Sequence, residues 1–186
     1  MEQLLKWDDQ LFLFLNSLGQ EFWDPMWLLI SGSKTWIPLY LFLLFLVFRK
    51  TELKIFGLAF LFLLINTVLT DTGSVWLFKE QFQRLRPCHV PELLEKMRLV
   101  KESCGGQYGF VSSHASNTFG LAILMGGILK PHYAKATLIL ILWAAIIAFS
   151  RVYLGVHYPL DIICGSLYGA LCGYISLIFY RKISSK

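Results

Sequence analysis

Charge is scarce in this chain. Lys and Arg number 17 and Asp and Glu 12 in 186 residues, 16% together, where a soluble domain carries about a quarter. Hydrophobic residues make up 56%, with 15 Phe, 8 Tyr and 6 Trp, and mean hydropathy is +0.58. The length would suit one soluble domain with a good core, but there is too little polar surface to cover such a body in water. The chain has no Gly period, no long heptad run, no internal repeat and no low-complexity stretch, which excludes collagen, coiled coil and disorder. Near the N terminus no basic segment leads an apolar core and no small-residue cleavage site follows, so residues 1–32 do not read as a signal peptide. No linker is long enough to separate two domains. Residues 1–186 therefore read as one membrane-embedded domain, all-α and integral to the bilayer.

A crossing helix needs about 20 mostly apolar residues, somewhat fewer when anchoring side chains flank it. Five stretches meet this or nearly so: 36–48, 55–78, 115–129, 136–150 and 158–180. Pro38 sits in the first turn of its stretch, where the missing N–H does no harm. Residues 1–32 carry Leu4, Leu5, Leu11, Phe12 and Leu15 near helical spacing among Glu2, Lys6, Asp8, Asp9 and Gln10. They read as one or two helices lying in the interface, with a helical bundle over 33–182. The sizeable non-spanning segment is 79–112, within which 91–102 has the spacing of a short surface helix. Arg49, Lys50 and Lys54, then Lys130 and Lys135, then Arg181, Lys182 and Lys186 fall on one side of a five-span arrangement. By the bias of basic residues in short loops that side, with the C terminus, is cytoplasmic. The loop 79–112 lies outside and carries six basic residues of its own, an exception that binding of an anionic ligand would explain.

Polar residues cluster on that outer side, where each is costly in lipid and marks a candidate site. Lys79 and Arg86 are seven apart, two helical turns and so roughly one face, and an Arg fork with a Lys point charge suits a phosphate. Snorkelling to lipid headgroups is the plainer alternative. Ser112, Ser113 and His114 open the third span, where a Ser cap and free N–H groups make an anion site. An ordinary cap beside an interfacial histidine would read the same way. His157 and Asp161 are at i, i+4 and share a face if Pro159 lies in the first turn of the helix. The carboxylate can then accept a ring N–H, fix the tautomer and raise the basicity of the other nitrogen. Such an imidazole is a nucleophile or a metal ligand. Arg151, on the loop before it, brings a further cation. The carboxylates are otherwise scattered, and no metal-ligand cluster is apparent.

The three segments in this order resemble the signature of the type 2 phosphatidic acid phosphatase superfamily, which includes vanadium haloperoxidases and bacterial acid phosphatases. Lys79, Arg86 and Pro87 match its first motif, and Ser150, Arg151, His157 and Asp161 its third. Val111–Ser112–Ser113–His114 departs from the second, with Val111 for proline and Ser113 for glycine. The resemblance implies a bundle of the acid phosphatase and haloperoxidase type with about five spans. It implies hydrolysis through a phosphohistidine: His157 attacks phosphorus, Asp161 orients its ring, and His114 protonates the leaving oxygen and then activates water. Lys79, Arg86, Arg151, Ser112 and Ser113 hold the phosphoryl oxygens, with no metal or other cofactor.

A membrane-embedded site facing outward implies a lipid phosphate or diphosphate as the partner, with no nucleic acid and no obligatory protein partner. Within the family the expectation is undecaprenyl diphosphate, cleaved to the monophosphate at the bacterial cytoplasmic (inner) membrane. Phosphatidylglycerophosphate, phosphatidic acid and lipid A are the rivals. A non-catalytic anion or lipid carrier is the alternative of another class, although a pore has no need of His157 and Asp161 at nucleophile-orienting spacing. Asn66 and Asp71 within span two either line an entry path or, for Asp71, pair with a nearby cation. Cys88 and Cys104 share the outer loop, where a disulfide would pin the segment bearing Arg86; two free thiols are the alternative. Cys164 and Cys172 read as small core residues.

Overall fold

Unbroken apolar runs that lack interior proline leave the backbone one way to satisfy its polar groups in lipid, which is to form helices. The computed structural model describes residues 2–101 and 103–185, and most of these are helical, the segment 95–112 being the longest that is not. Lys186 of the basic tail and Glu102 at the end of the 91–102 segment lie outside them. In chain order the helices are α1 (Glu2–Ser17), α2 (Asp24–Ser31), α3 (Ile37–Phe48), α4 (Leu53–Gly73), α5 (Glu80–Phe82), α6 (Pro91–Leu94), α7 (Ser113–Leu129), α8 (Ala136–Tyr153) and α9 (Pro159–Ser184). A π-helical turn, Ser74–Lys79, joins α4 to α5, so Leu53–Phe82 runs as one helix of 30 residues.

By length and composition three helices can cross a membrane: Leu53–Phe82, α8 and α9. A fourth candidate is the pair Glu21–Ser31 and Ser33–Phe48, bent by 61°. The boundary expected at 32/33 thus falls inside one bent element, with Gly32 at the bend. The remaining expected span, α7, has 17 residues and is buried along most of its length at the centre of the bundle. Outward-facing Leu41, Phe42, Phe45, Leu138, Leu142, Leu167 and Leu171 are each more than half exposed, a surface suited to lipid.

Lipid tails are as apolar as leucine, so the helices are held together by close packing more than by withdrawal from water. Small residues set the separation of α7 and α9. A Cβ at Gly165 would lie 2.7 Å from the Ser112 carbonyl oxygen, and Cβ atoms at Gly169 and Gly173 would meet the backbones of Ser116 and Gly120. Around this pair Leu43, Val47, Phe62, Leu124, Met125, Leu129, Leu140 and Leu177 form the main core.

α4, α7, α8 and α9 alternate in direction. Residues 79, 113, 151 and 161 therefore gather at one end, and the basic turns 49–54 and 130–135 with Arg181 and Lys182 gather at the other. The short helix expected over 91–102 stops at Leu94, and the chain then tucks inward. Met97 packs with Phe12, Val152 and Tyr158, while Arg98 pairs with Asp24 at 2.9 Å. The turn 154–158 meets this segment at Gly155, whose φ of +80° and close approach to the Arg98 carbonyl suit glycine alone.

Candidate active site

The π-helical turn carries Lys79 to the end of its helix. One residue in excess of α-helical winding redirects a side chain, and such turns recur at functional sites. Here the redirected Lys79 Nζ donates to Ser113 Oγ at 2.7 Å, and Ser113 Oγ also lies 2.7 Å from Ser74 Oγ. The helix stops at Phe82 because Gln83 takes a left-handed conformation (φ 47°). Arg86 lies beyond, in extended chain bridged to Tyr108 through Leu85. Lys79 and Arg86 therefore do not share a helical face, as their spacing suggested; a chain reversal brings them together. Arg86 is buried, its Nε donating to Tyr108 O (3.3 Å) and its Nη1 to Cys104 O (3.1 Å). A Cys88–Cys104 disulfide closes the loop that supplies these carbonyls.

Arg151 lies in the last turn of α8 and not on the loop after it. It is 3% exposed, donates through Nη1 to Ser31 Oγ of α2, and leaves Nε buried with no partner among the described residues. His157 lies just before α9, so it shares no helical face with Asp161. Tyr158 is the N-cap, Pro159 the first residue of the helix, and Asp161 completes a capping box. One Asp161 oxygen, Oδ2, accepts the Tyr158 N–H at 3.1 Å and lies 3.2 Å from His157 Nδ1. The i, i+4 pairing holds, through a helix cap.

Lys79, Arg86, Ser113, His114, Arg151 and His157 line one cavity of about 580 Å³. Ser112 and Asp161 do not reach it. Both are fully buried, and the Ser112 N–H donates to the Asp161 carbonyl oxygen at 3.0 Å. Ser112, expected among the phosphate ligands, stands behind the cavity wall as the N-cap of α7, and its N–H ties that helix to α9. Below the polar end the cavity is walled by Trp36, Tyr40, Leu63, Leu64, Leu121 and Ile147. Asp71 lines it too and accepts from Asn117 Nδ2 at 3.0 Å, while Asn66 is buried in the packing near Ser176.

Three cations thus converge on a buried imidazole. Burial first, then Arg86, Arg151 and Lys79, hold the His157 ring well below the ordinary histidine range, so it is neutral at pH 7. A neutral ring bonded through Nδ1 to a carboxylate leaves Nε2 with a lone pair, and cations around it fit the oxygens of a phosphoryl group. Among the described residues, Cys88, His89 and Cys104 bring three metal-type ligand atoms within 4.8 Å of one another. The two sulfurs there are bonded to each other and do not serve as thiolates.

Residues 55–185 match the PAP2 superfamily. The chain belongs to that family. Among its relatives, the lipid A 4'-phosphatase of Porphyromonas gingivalis is 32% identical over 188 residues, covering 100% of this chain and 78% of the relative. The lipid A 4'-phosphatase of Bacteroides thetaiotaomicron is 28% identical over 181 residues, 96% and 79% of the two chains. The crystal structure of a transmembrane PAP2-type phosphatidylglycerolphosphate phosphatase from Bacillus subtilis superposes with a TM-score of 0.74 at 22% identity, covering 98% of this chain and 89% of that one. This PAP2 protein is a membrane lipid phosphatase.

Sequence reasoning passed over several residues that build the site. Arg84 was read only as one of six loop cations, yet it lies 3.2 Å from Asp161. Ser31 and Ser74 gave no sequence signal, being small hydroxyl residues in mixed or apolar stretches. Lys101 lines the cavity, although it belongs to none of the three motifs. The inward face of α1 is Asp8, Phe12 and Asn16, with Leu4, Trp7, Leu11 and Phe14 turned outward. That stripe at i, i+4, i+8, polar at two of its three positions, is visible in the sequence among the leucines.

Proposed function

We propose that this lipid phosphatase removes a phosphate monoester from a lipid A-type glycolipid through a phosphohistidine on His157. The observation that carries the reading is one cavity lined by four cations, Lys79, Arg86, Lys101 and Arg151, and two histidines, with an apolar wall beside them. The lipid A 4'-phosphatases that match nearly the whole chain support this substrate class.

In the proposed reaction the Nε2 lone pair of His157 attacks phosphorus as the bond to the sugar oxygen breaks. His114 gives that oxygen its proton. Water then attacks the phosphohistidine, the P–N bond breaks, and His114 takes a proton from the water. Lys79, Arg86, Arg151 and Ser113 hold the phosphoryl oxygens, so positioning and charge supply the catalysis. Asp161 holds the ring tautomer from behind. No metal is assigned a step, and turnover is expected to survive EDTA. The same reading has the protein in a bacterial inner membrane, its site on the periplasmic side and its C terminus cytoplasmic, acting without an obligatory protein partner.

The test is phosphate release by purified protein across lipid A, undecaprenyl diphosphate, phosphatidylglycerophosphate and phosphatidic acid. The highest kcat/KM is expected on lipid A. A higher value on undecaprenyl diphosphate overturns the substrate, and release from none of them favours a non-catalytic carrier.

A further inference from the structure

α1 lines no part of the cavity, yet it holds a carboxylate that is 7% exposed. Burying an anion is costly unless it is paired and hydrogen-bonded, and Asp8 is both. Its Oδ1 accepts the Leu160 N–H of the first turn of α9 at 2.9 Å. Its Oδ2 pairs with Arg84 Nη2 at 2.8 Å. Arg84 Nη1 reaches Asp161 Oδ1 at 3.2 Å, and the guanidinium lies 3.8 Å from the centroid of the Tyr158 ring.

The two oxygens of Asp161 are thereby divided: Oδ2 serves His157 and the Tyr158 N–H, and Oδ1 serves Arg84. A carboxylate held at one oxygen can swing about its Cβ–Cγ bond. Held at both, it presents one oxygen to Nδ1 in one orientation. A planar fork pinned by a second carboxylate and an aromatic face performs this better than a flexible ammonium. The same Asp8 that pins the fork also satisfies an orphan N–H at the end of α9 that carries Asp161.

We propose that Arg84, clamped by Asp8 of α1, is a positioning residue that fixes the Asp161 carboxylate against His157, which makes the N-terminal helix a working part of the active site. The proposal rests on the reading of His157 as nucleophile. The charged and titratable groups that face Asp161 and Arg84 are Asp8 and Asp9 from α1, Lys79 from the π-helical turn, Arg86 from the extended segment, His157 and Tyr158 from the turn before α9, and Cys164 from α9 itself. All remain in an Arg84 variant, so the loss of one cation is what such a variant reports.

The test uses the purified full chain and lipid phosphate, with Arg84→Met, Arg84→Lys, Asp8→Asn and His157→Ala compared by kcat, KM and pH profile. Arg84→Met is expected to lower kcat by about a hundredfold, the scale of a small misplacement of a reacting group, with KM within about threefold. Removing a cation beside the pair favours its protonated form, so the acid limb of the kcat profile moves up by about one pH unit. Arg84→Lys keeps the charge and is expected to restore the limb and part of kcat. Asp8→Asn removes an anion, so kcat falls without an upward move of the limb. Should Arg84→Met not fold, Arg84→Lys and Asp8→Asn carry the test by the same two readouts. Wild-type kcat and limb in the Arg84 variants beside an inactive His157→Ala overturn the proposal alone. So does a fall in kcat with an unmoved limb in Arg84→Met and no rescue by lysine. An active His157→Ala overturns the underlying reading instead.

Discussion

Gly169→Ala adds one methyl group where α7 and α9 touch. The new Cβ falls 2.7 Å from the carbonyl carbon and 2.8 Å from the Cα of Ser116, and closer still to the carbonyl oxygen. Ordinary contact begins at about 3.4 Å, so the two helices must part by about 1 Å. The neighbouring atoms are backbone, which no rotamer change can move aside. Overpacking of this kind costs about 1–3 kcal/mol. The functional cost is larger, because α7 carries Ser113 and His114 while α9 carries Asp161 and follows His157. A shift of about 1 Å between catalytic groups costs on the order of a hundredfold in rate. The assay is kcat on a lipid phosphate together with thermal unfolding in detergent. The control is Gly57→Ala, where a Cβ meets nothing within 4 Å and the helix gains up to about 1 kcal/mol. Wild-type rate and melting temperature in Gly169→Ala would refute the claim that this close approach positions the site.

Further predictions concern groups in and behind the cavity wall. Reduction of the Cys88–Cys104 disulfide, or Cys104→Ser, loosens the loop whose carbonyls hold Arg86; KM is expected to rise several-fold with a smaller change in kcat, read by initial rates with and without dithiothreitol. Lys101 lines the cavity with the three motif cations, so Lys101→Ala is expected to raise KM by about threefold to tenfold, an effect that weakens with added salt. Asp161→Asn keeps the size of the side chain but lets the wrong ring tautomer form, and kcat is expected to fall by about 10³ to 10⁴.

Features that one short segment contains were legible in the sequence. His157 and Asp161 are four residues apart, Pro159 marks the helix start between them, and apolar runs betray spans whatever their partners. Lys79 and Arg86 were found by a pattern whose geometry differs: seven residues suggest two helical turns, whereas a π-helical turn and the left-handed Gln83 bring the side chains together. Contacts that span the chain left no local trace. Asp8 is 152 residues from Leu160 in sequence, and Ser31 is 120 from Arg151. The bend at Gly32 was hidden because Trp23, Met26, Trp27 and Leu28 suit an interface and a broken span equally well. The repeat of glycine at 165, 169 and 173 was in plain view, and its spacing of four is the mark of close helix contact in a membrane.

The central claim is that one cavity hydrolyses a lipid phosphate through covalent transfer to His157. It is tested most directly by quenching the enzyme during turnover of lipid A radiolabelled at its phosphate and digesting it under alkaline conditions, which a P–N bond survives and acid destroys. The account predicts label on the peptide bearing His157, acid-labile and absent from His157→Ala. Steady phosphate release with no label on the protein, or with turnover undiminished in His157→Ala, would contradict it.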